Sequence, residues 1–113
     1  FLHGRVREIG GGICHVDVMD MVVQAEATGV LSAGDKVVVA VRPERITLSA
    51  TGTGLRGALS DVIYIGNARK YVVRLSGGQE CLVLRHAEAD GALNPGDHAV
   101  LSWQAERARA FPV

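Results

Sequence analysis

Residues 36–48 read Lys36-Val37-Val38-Val39-Ala40-Val41-Arg42-Pro43-Glu44-Arg45-Ile46-Thr47-Leu48. The apolar run Val37 to Val41 predicts a buried strand, shielded on both faces if the whole run is covered. Pro43 has no backbone N–H and cannot sit inside a sheet ladder, so it marks a bend or a strand end. Alternation resumes with Ile46 and Leu48. The charges of Arg42, Glu44 and Arg45 therefore stand beside a strand that must be inside. In one reading they finish the strand, with Glu44 taking an arginine or backbone N–H groups. In the other, Arg42, Pro43, Glu44 and Arg45 form a contact motif in which a partly buried arginine–glutamate pair fixes orientation. Left exposed, such a pair contributes only about 0–1 kcal/mol.

Working outward, hydrophobicity keeps a period of two. Leu2 to Ile9 reads as a strand, Gly10-Gly11-Gly12 as a turn, and Cys14, Val16 and Val18 alternate with His15 and Asp17. Met19-Asp20 turns the chain into a third strand carrying Val23, Ala25 and Ala27, and a loop from Thr28 leads to Lys36. Ala50 to Gly54 is the one linker-like stretch. Strands then follow over Arg56 to Ile65, Lys70 to Leu75, Cys81 to Arg85 and Val100 to Trp103. Turns fall at Gly66-Asn67, Ser76 to Gln79 and Asn94 to Asp97. His86 to Leu93 reads as a loop, with room for one helical turn at Ala87-Glu88-Ala89, and the tail ends near Phe111. Fourteen glycines punctuating short strands predict an all-β barrel or sandwich.

The second half repeats the first. Leu55-Arg56-Gly57-Ala58-Leu59 echoes Leu2-His3-Gly4-Arg5-Val6, and Leu93 to Val100 echoes Leu31 to Val38 around a shared Gly-Asp. Gln104-Ala105-Glu106-Arg107 echoes Arg42-Pro43-Glu44-Arg45 in register with that match. Three landmarks in one order predict a duplication, with half-units at about 1–49 and 55–111, each supplying strands to a shared barrel-like core.

The 113 residues suit one domain, long enough to bury a core without a disulfide or metal. Twelve basic residues balance twelve acidic ones, and five aromatics (one Trp, two Tyr, two Phe) are too few for a stacking platform. Tyr64, Arg69 and Lys70 form the weaker candidate surface, but without a basic excess the chain does not read as nucleic-acid binding. No apolar run is long enough to insert in a bilayer. Cys14 and Cys81 are isolated and read as small core residues in a reducing compartment. His3, His15, His86 and His98 lack ligand spacing, and no serine sits in a Gly-x-Ser-x-Gly elbow. Asp61 with Glu80, or Glu88 with Asp90, are explained by loop solubility more cheaply than by paired-acid catalysis. The sequence predicts no catalytic, cofactor-binding or metal-ligating residue.

The stretches Phe1 to Val6, Gly34 to Val37, Val41-Arg42-Pro43-Glu44 and Gly57 to Gly66 carry a resemblance. So do Tyr71 to Leu75, Gly78-Gln79-Glu80, and Pro95-Gly96-Asp97 followed by Leu101-Ser102-Trp103. Together they resemble the transport-associated OB (TOBE) domain at the C-terminus of ATP-binding subunits of bacterial ABC importers, most of all the spermidine/putrescine branch. The resemblance implies an OB-like β-barrel of two related, interleaved β units over 1–113, cut from a longer ATPase subunit. It implies a non-catalytic accessory, regulatory and dimerisation domain. ATP and magnesium would belong to the nucleotide-binding domain: no phosphate-binding loop is present, and Gly10-Gly11-Gly12 leads into a strand. The implied partners are a second copy of the subunit, the ATPase domain in cis and the permease, at the cytoplasmic face of the bacterial membrane. The alternative is a stand-alone OB-type module for a small oxyanion such as molybdate, to which Ser60, Arg69 and Lys70 could contribute.

Overall fold

In the computed structural model, which describes residues 1–86 and 93–113, the alternating segments form strands. The chain divides into two compact units, one of Phe1–Arg42 with Trp103–Val113, the other of Pro43–Ser102.

The first unit starts as a meander of β1 (Leu2–Gly10), β2 (Ile13–Val18) and β3 (Met21–Ala27). Gly11 and Gly12 both hold positive φ (60° and 81°), as a two-residue hairpin of the right twist demands. After a loop, β4 (Lys36–Val41) returns to pair antiparallel with β1, Leu2 opposite Val39. The last member is β10 (Ala108–Pro112), antiparallel to β4 and parallel to β3 through Arg109–Glu26 and Ala110–Ala27. That pairing closes the barrel in the order β1-β2-β3-β10-β4. Leu2, Val6, Cys14, Val16, Val18, Ala25, Val37 and Val39 are buried inside it. A buried Val or Leu contributes about 1.5–3 kcal/mol, so this set dominates the unit's stability. In β4 only Val37 and Val39 are fully buried; Val38, Ala40 and Val41 are half-buried, so the apolar run is one-sided rather than shielded on both faces.

The second unit repeats the plan with β6 (Leu55–Ile65), β7 (Ala68–Leu75), β8 (Glu80–His86), β9 (His98–Ser102) and β5 (Thr47–Ser49). Its order is β5-β9-β6-β7-β8. Leu55 opposes Leu101 as Leu2 opposes Val39, and both long first strands bulge at the matching place, between Leu59 and Asp61 and between Val6 and Glu8. The Gly-Asp turns match bond for bond. Gly34 N–H donates to Val6 O (2.7 Å) and Val6 N–H to Asp35 O (2.9 Å); Gly96 donates to Leu59 (2.7 Å) and Leu59 to Asp97 (2.9 Å). Asp35 and Asp97 each accept, at 2.8 Å, the N–H three residues back, from Ser32 and Asn94.

Three sequence readings change. The tail is a strand, β10, hidden from pattern reading because its inward residues are only Ala108 and Ala110. β9 ends at Ser102, and Trp103 instead donates its indole N–H to Gln24 O (2.9 Å). His86 ends β8 rather than opening a loop. The suggested turn at 87–89 and the Glu88–Asp90 pair lie outside the described residues. Cys14 and Cys81 are buried free thiols, each with its pKa raised by that burial.

Candidate functional site

The Arg42–Arg45 element lies where the chain passes from the first unit to the second. Arg42 is exposed at the end of the first unit. Pro43–Arg45 is a single 3-10 turn that opens the second and packs on β8. Proline suits the start of such a turn, since its fixed φ is preorganised and its missing N–H would have had no partner. Ile46 follows it into the core. Glu44 and Arg45 stay exposed, and among the described residues Arg42, Glu44 and Arg45 form no ion pair. The echo at Ala105–Arg107 is also a 3-10 turn, next to β3 in the first unit. The element is thus a repeated framework turn that leaves its charges unpaired.

The second candidate sits at the far end of the β6–β7 hairpin. Tyr64 and Arg69 are directly opposite, as are Ile63 and Lys70. The Arg69 guanidinium lies 5.5 Å from the centre of the Tyr64 ring, a cation–π contact. The neighbouring Tyr71 hydroxyl holds the Arg69 pKa above its ordinary value, with desolvation pulling the other way. Lys70 belongs to the opposite face, since side chains alternate along a strand. The structure therefore joins Tyr64 to Arg69 and separates Lys70 from both. Ser60 is held elsewhere, its hydroxyl donating to Val72 O (3.0 Å).

Sequence reading missed Arg85. It is directly opposite Arg69, and its Nη1 donates to Leu48 O (3.2 Å). The signal was present: Cys81, Val83 and Arg85 share one phase of the period-two pattern, so the arginine falls on the inward-facing side.

Among the described residues, Asp61 and Glu80 do not pair with each other. Asp61 accepts from Val62 N–H (2.9 Å) while Glu80 pairs with Arg74 (3.2 Å), so these carboxylates have separate partners. Among the described residues no three metal-ligating side chains converge, and no helix is long and apolar enough to cross a membrane. The first unit carries an open cleft of about 360 Å³ lined by His3, Gly4, Arg5, Asp17, Met19, Lys36 and Val37.

A framework of two Gly-Asp turns, two bulged first strands and two 3-10 turns is now in place, and residues 39–111 match the family model described as the TOBE domain. The chain belongs to the TOBE domain family. This TOBE domain is similar to curated proteins named spermidine/putrescine import ATP-binding protein PotA. The one from Frankia alni is 37% identical over an alignment of 92 positions that covers 75% of this chain and 20% of the relative. The one from Acidothermus cellulolyticus is 34% identical over 65% of this chain and 21% of the relative. The one from Nitrosomonas europaea is 24% identical over 94% of this chain and 34% of the relative. The chain thus spans between a fifth and a third of these relatives. Among solved structures, the cytoplasmic molybdate-binding protein ModG with molybdate bound superposes with a TM-score of 0.80. It covers 99% of this chain and 94% of its own at 20% identity, a likeness of fold.

Proposed function

We propose that this TOBE domain is the non-catalytic accessory and dimerisation region of the ATP-binding subunit of an ABC importer for polyamines of the spermidine/putrescine type. The observation that carries the reading is the match over most of the chain to proteins that bear that name, of which it spans a fifth to a third. In this reading the ATPase chemistry, with its ATP and magnesium, resides in a nucleotide-binding domain in cis. The TOBE domain lies at the cytoplasmic face of the membrane, with a second subunit and, through the whole ATPase, the permease as partners. The unpaired charges of Arg42, Glu44 and Arg45 suit a contact surface, because a partner can pair them without first breaking an internal bridge.

The reading is tested by the coding sequence upstream of Phe1. A nucleotide-binding domain with a phosphate-binding loop supports it; a DNA-binding domain or a further TOBE repeat overturns it. Within such a subunit, Glu44→Ala should lower transport-coupled ATPase activity while leaving the melting temperature in place. Equal loss of both would make the element purely architectural. A second reading, a module for a small oxyanion such as molybdate, draws on the ModG likeness in fold. Calorimetric titration with molybdate separates the two, since the importer reading expects no heat of binding.

A further inference from the structure

The β6–β7 hairpin is longer than its duplicate. Gly10 opposite Ile13 ends the β1–β2 ladder, at the place where Ile63 opposes Lys70. The second hairpin then adds two more rungs, Tyr64–Arg69 and Ile65–Ala68. The added rungs are not core: Tyr64 is 69% exposed and Ile65 55%. Tyr64, Arg69 and Arg85 form one row across β6, β7 and β8, on one face because directly opposite residues share a face.

That row carries two arginines directly opposite each other, an arrangement that like-charge repulsion disfavours. Among the described residues neither arginine has a carboxylate within ion-pair distance. Arg85 is half-occupied by Leu48 O, and the Arg69 Nε is shut off from water without a hydrogen-bond partner. Arg69 also meets the Tyr71 hydroxyl, so each guanidinium keeps one neutral partner and has donors to spare; beside an exposed tyrosine ring they have the composition of a protein-binding hot spot. Arg69 and Arg85 are half-buried and Tyr64 is exposed, so the row reaches the surface at its tyrosine end, where an extended chain gains ring contact that a free small anion does not. The balanced charge of the chain gives no long-range pull on nucleic acid.

We propose that the Tyr64–Arg69–Arg85 row docks an acidic peptide segment of a protein partner, the two guanidinium groups sharing its carboxylates and the tyrosine ring covering them. This site is independent of the importer reading and does not use the Arg42–Arg45 turn.

The test is fluorescence anisotropy with a labelled hexaglutamate peptide, alongside hexalysine, an oligothymidylate of matched charge and inorganic phosphate. The expected result is salt-sensitive binding of hexaglutamate alone, weakened about tenfold or more by Arg69→Glu. Arg69→Lys keeps the charge, guards against loss of fold, and should weaken binding less than Arg69→Glu. Arg74→Glu, on the opposite face of β7, should change nothing beyond about twofold. Equal weakening by Arg69→Glu and Arg74→Glu overturns the proposal, as does hexaglutamate binding no tighter than hexalysine. So does Arg69-dependent binding of oligothymidylate or phosphate that matches the peptide.

Discussion

The two units are copies of one plan, yet one is a closed barrel and the other is a sheet with two edges. In the first, β3 and β10 meet through Ala27 and Ala110, and Thr28 N–H donates to Ala110 O (2.9 Å). In the second, the matching strands β8 and β5 form no ladder. Register places Val83 and Arg85 where the first unit has Ala25 and Ala27, and Ile46 and Leu48 where it has Ala108 and Ala110. Alanines let two backbones approach to ladder distance; the larger side chains hold them apart. The carbonyl that Thr28 satisfies in one unit, Ala110 O, corresponds to Leu48 O in the other, and there the Arg85 side chain reaches across to supply the donor. The lesson is that side-chain volume at one seam decides closure, while the Gly-Asp turns and bulges stay fixed.

Exchanging seam residues between the units should break that contrast most strongly. Leu48→Ala should cost about 3 kcal/mol by leaving a cavity, and Ala110→Leu about 2–3 kcal/mol by overfilling the closed seam. Chemical denaturation measures both, and a near-neutral Ala110→Leu would refute the volume argument. Next come the glycines that both units keep. A Cβ at Gly4 would collide with Asp17 O, and one at Gly57 would meet Arg74 O at 2.6 Å. Gly4→Ala and Gly57→Ala should each cost about 2 kcal/mol, Gly4 the more, read from melting temperatures.

Arg85→Ala should cost about 1.5 kcal/mol by stranding the Leu48 carbonyl. Amide exchange should quicken in β5 and stay unchanged in β10; matching acceleration in both would deny that the seams are independent. Smallest are the surface ion pairs, Arg7–Asp17 (2.9 Å) in the first unit and Arg74–Glu80 (3.2 Å) in the second. Removing either by Asp17→Asn or Glu80→Gln should change stability by about 0.5 kcal/mol or less, because water screens both.

Much of this was legible in the sequence. Period-two alternation located most strands, and the Gly-Asp turns were legible in both halves, because those turns need particular residues at particular places. The Tyr64–Arg69 pair was legible as neighbours across a short turn. What stayed hidden depended on pairing between distant segments. β10 presents only alanines inward, so nothing in residues 108–112 marks a strand until β3 and β4 are seen on either side of it. Arg85 looked like a strand terminus until register set it opposite Arg69 and within reach of Leu48 O. Lys70 looked like part of one basic cluster with Arg69, and the pleat separates them.

The chain changes unit after Arg42 and again after Ser102, which sets an order of assembly during synthesis. The second unit has all its strands once residue 102 has left the ribosome. The first unit, begun at residue 2, lacks its closing strand until residues 108–112 emerge. The unit begun first is completed last. Until then the edges of β3 and β4 that β10 covers stay unpaired.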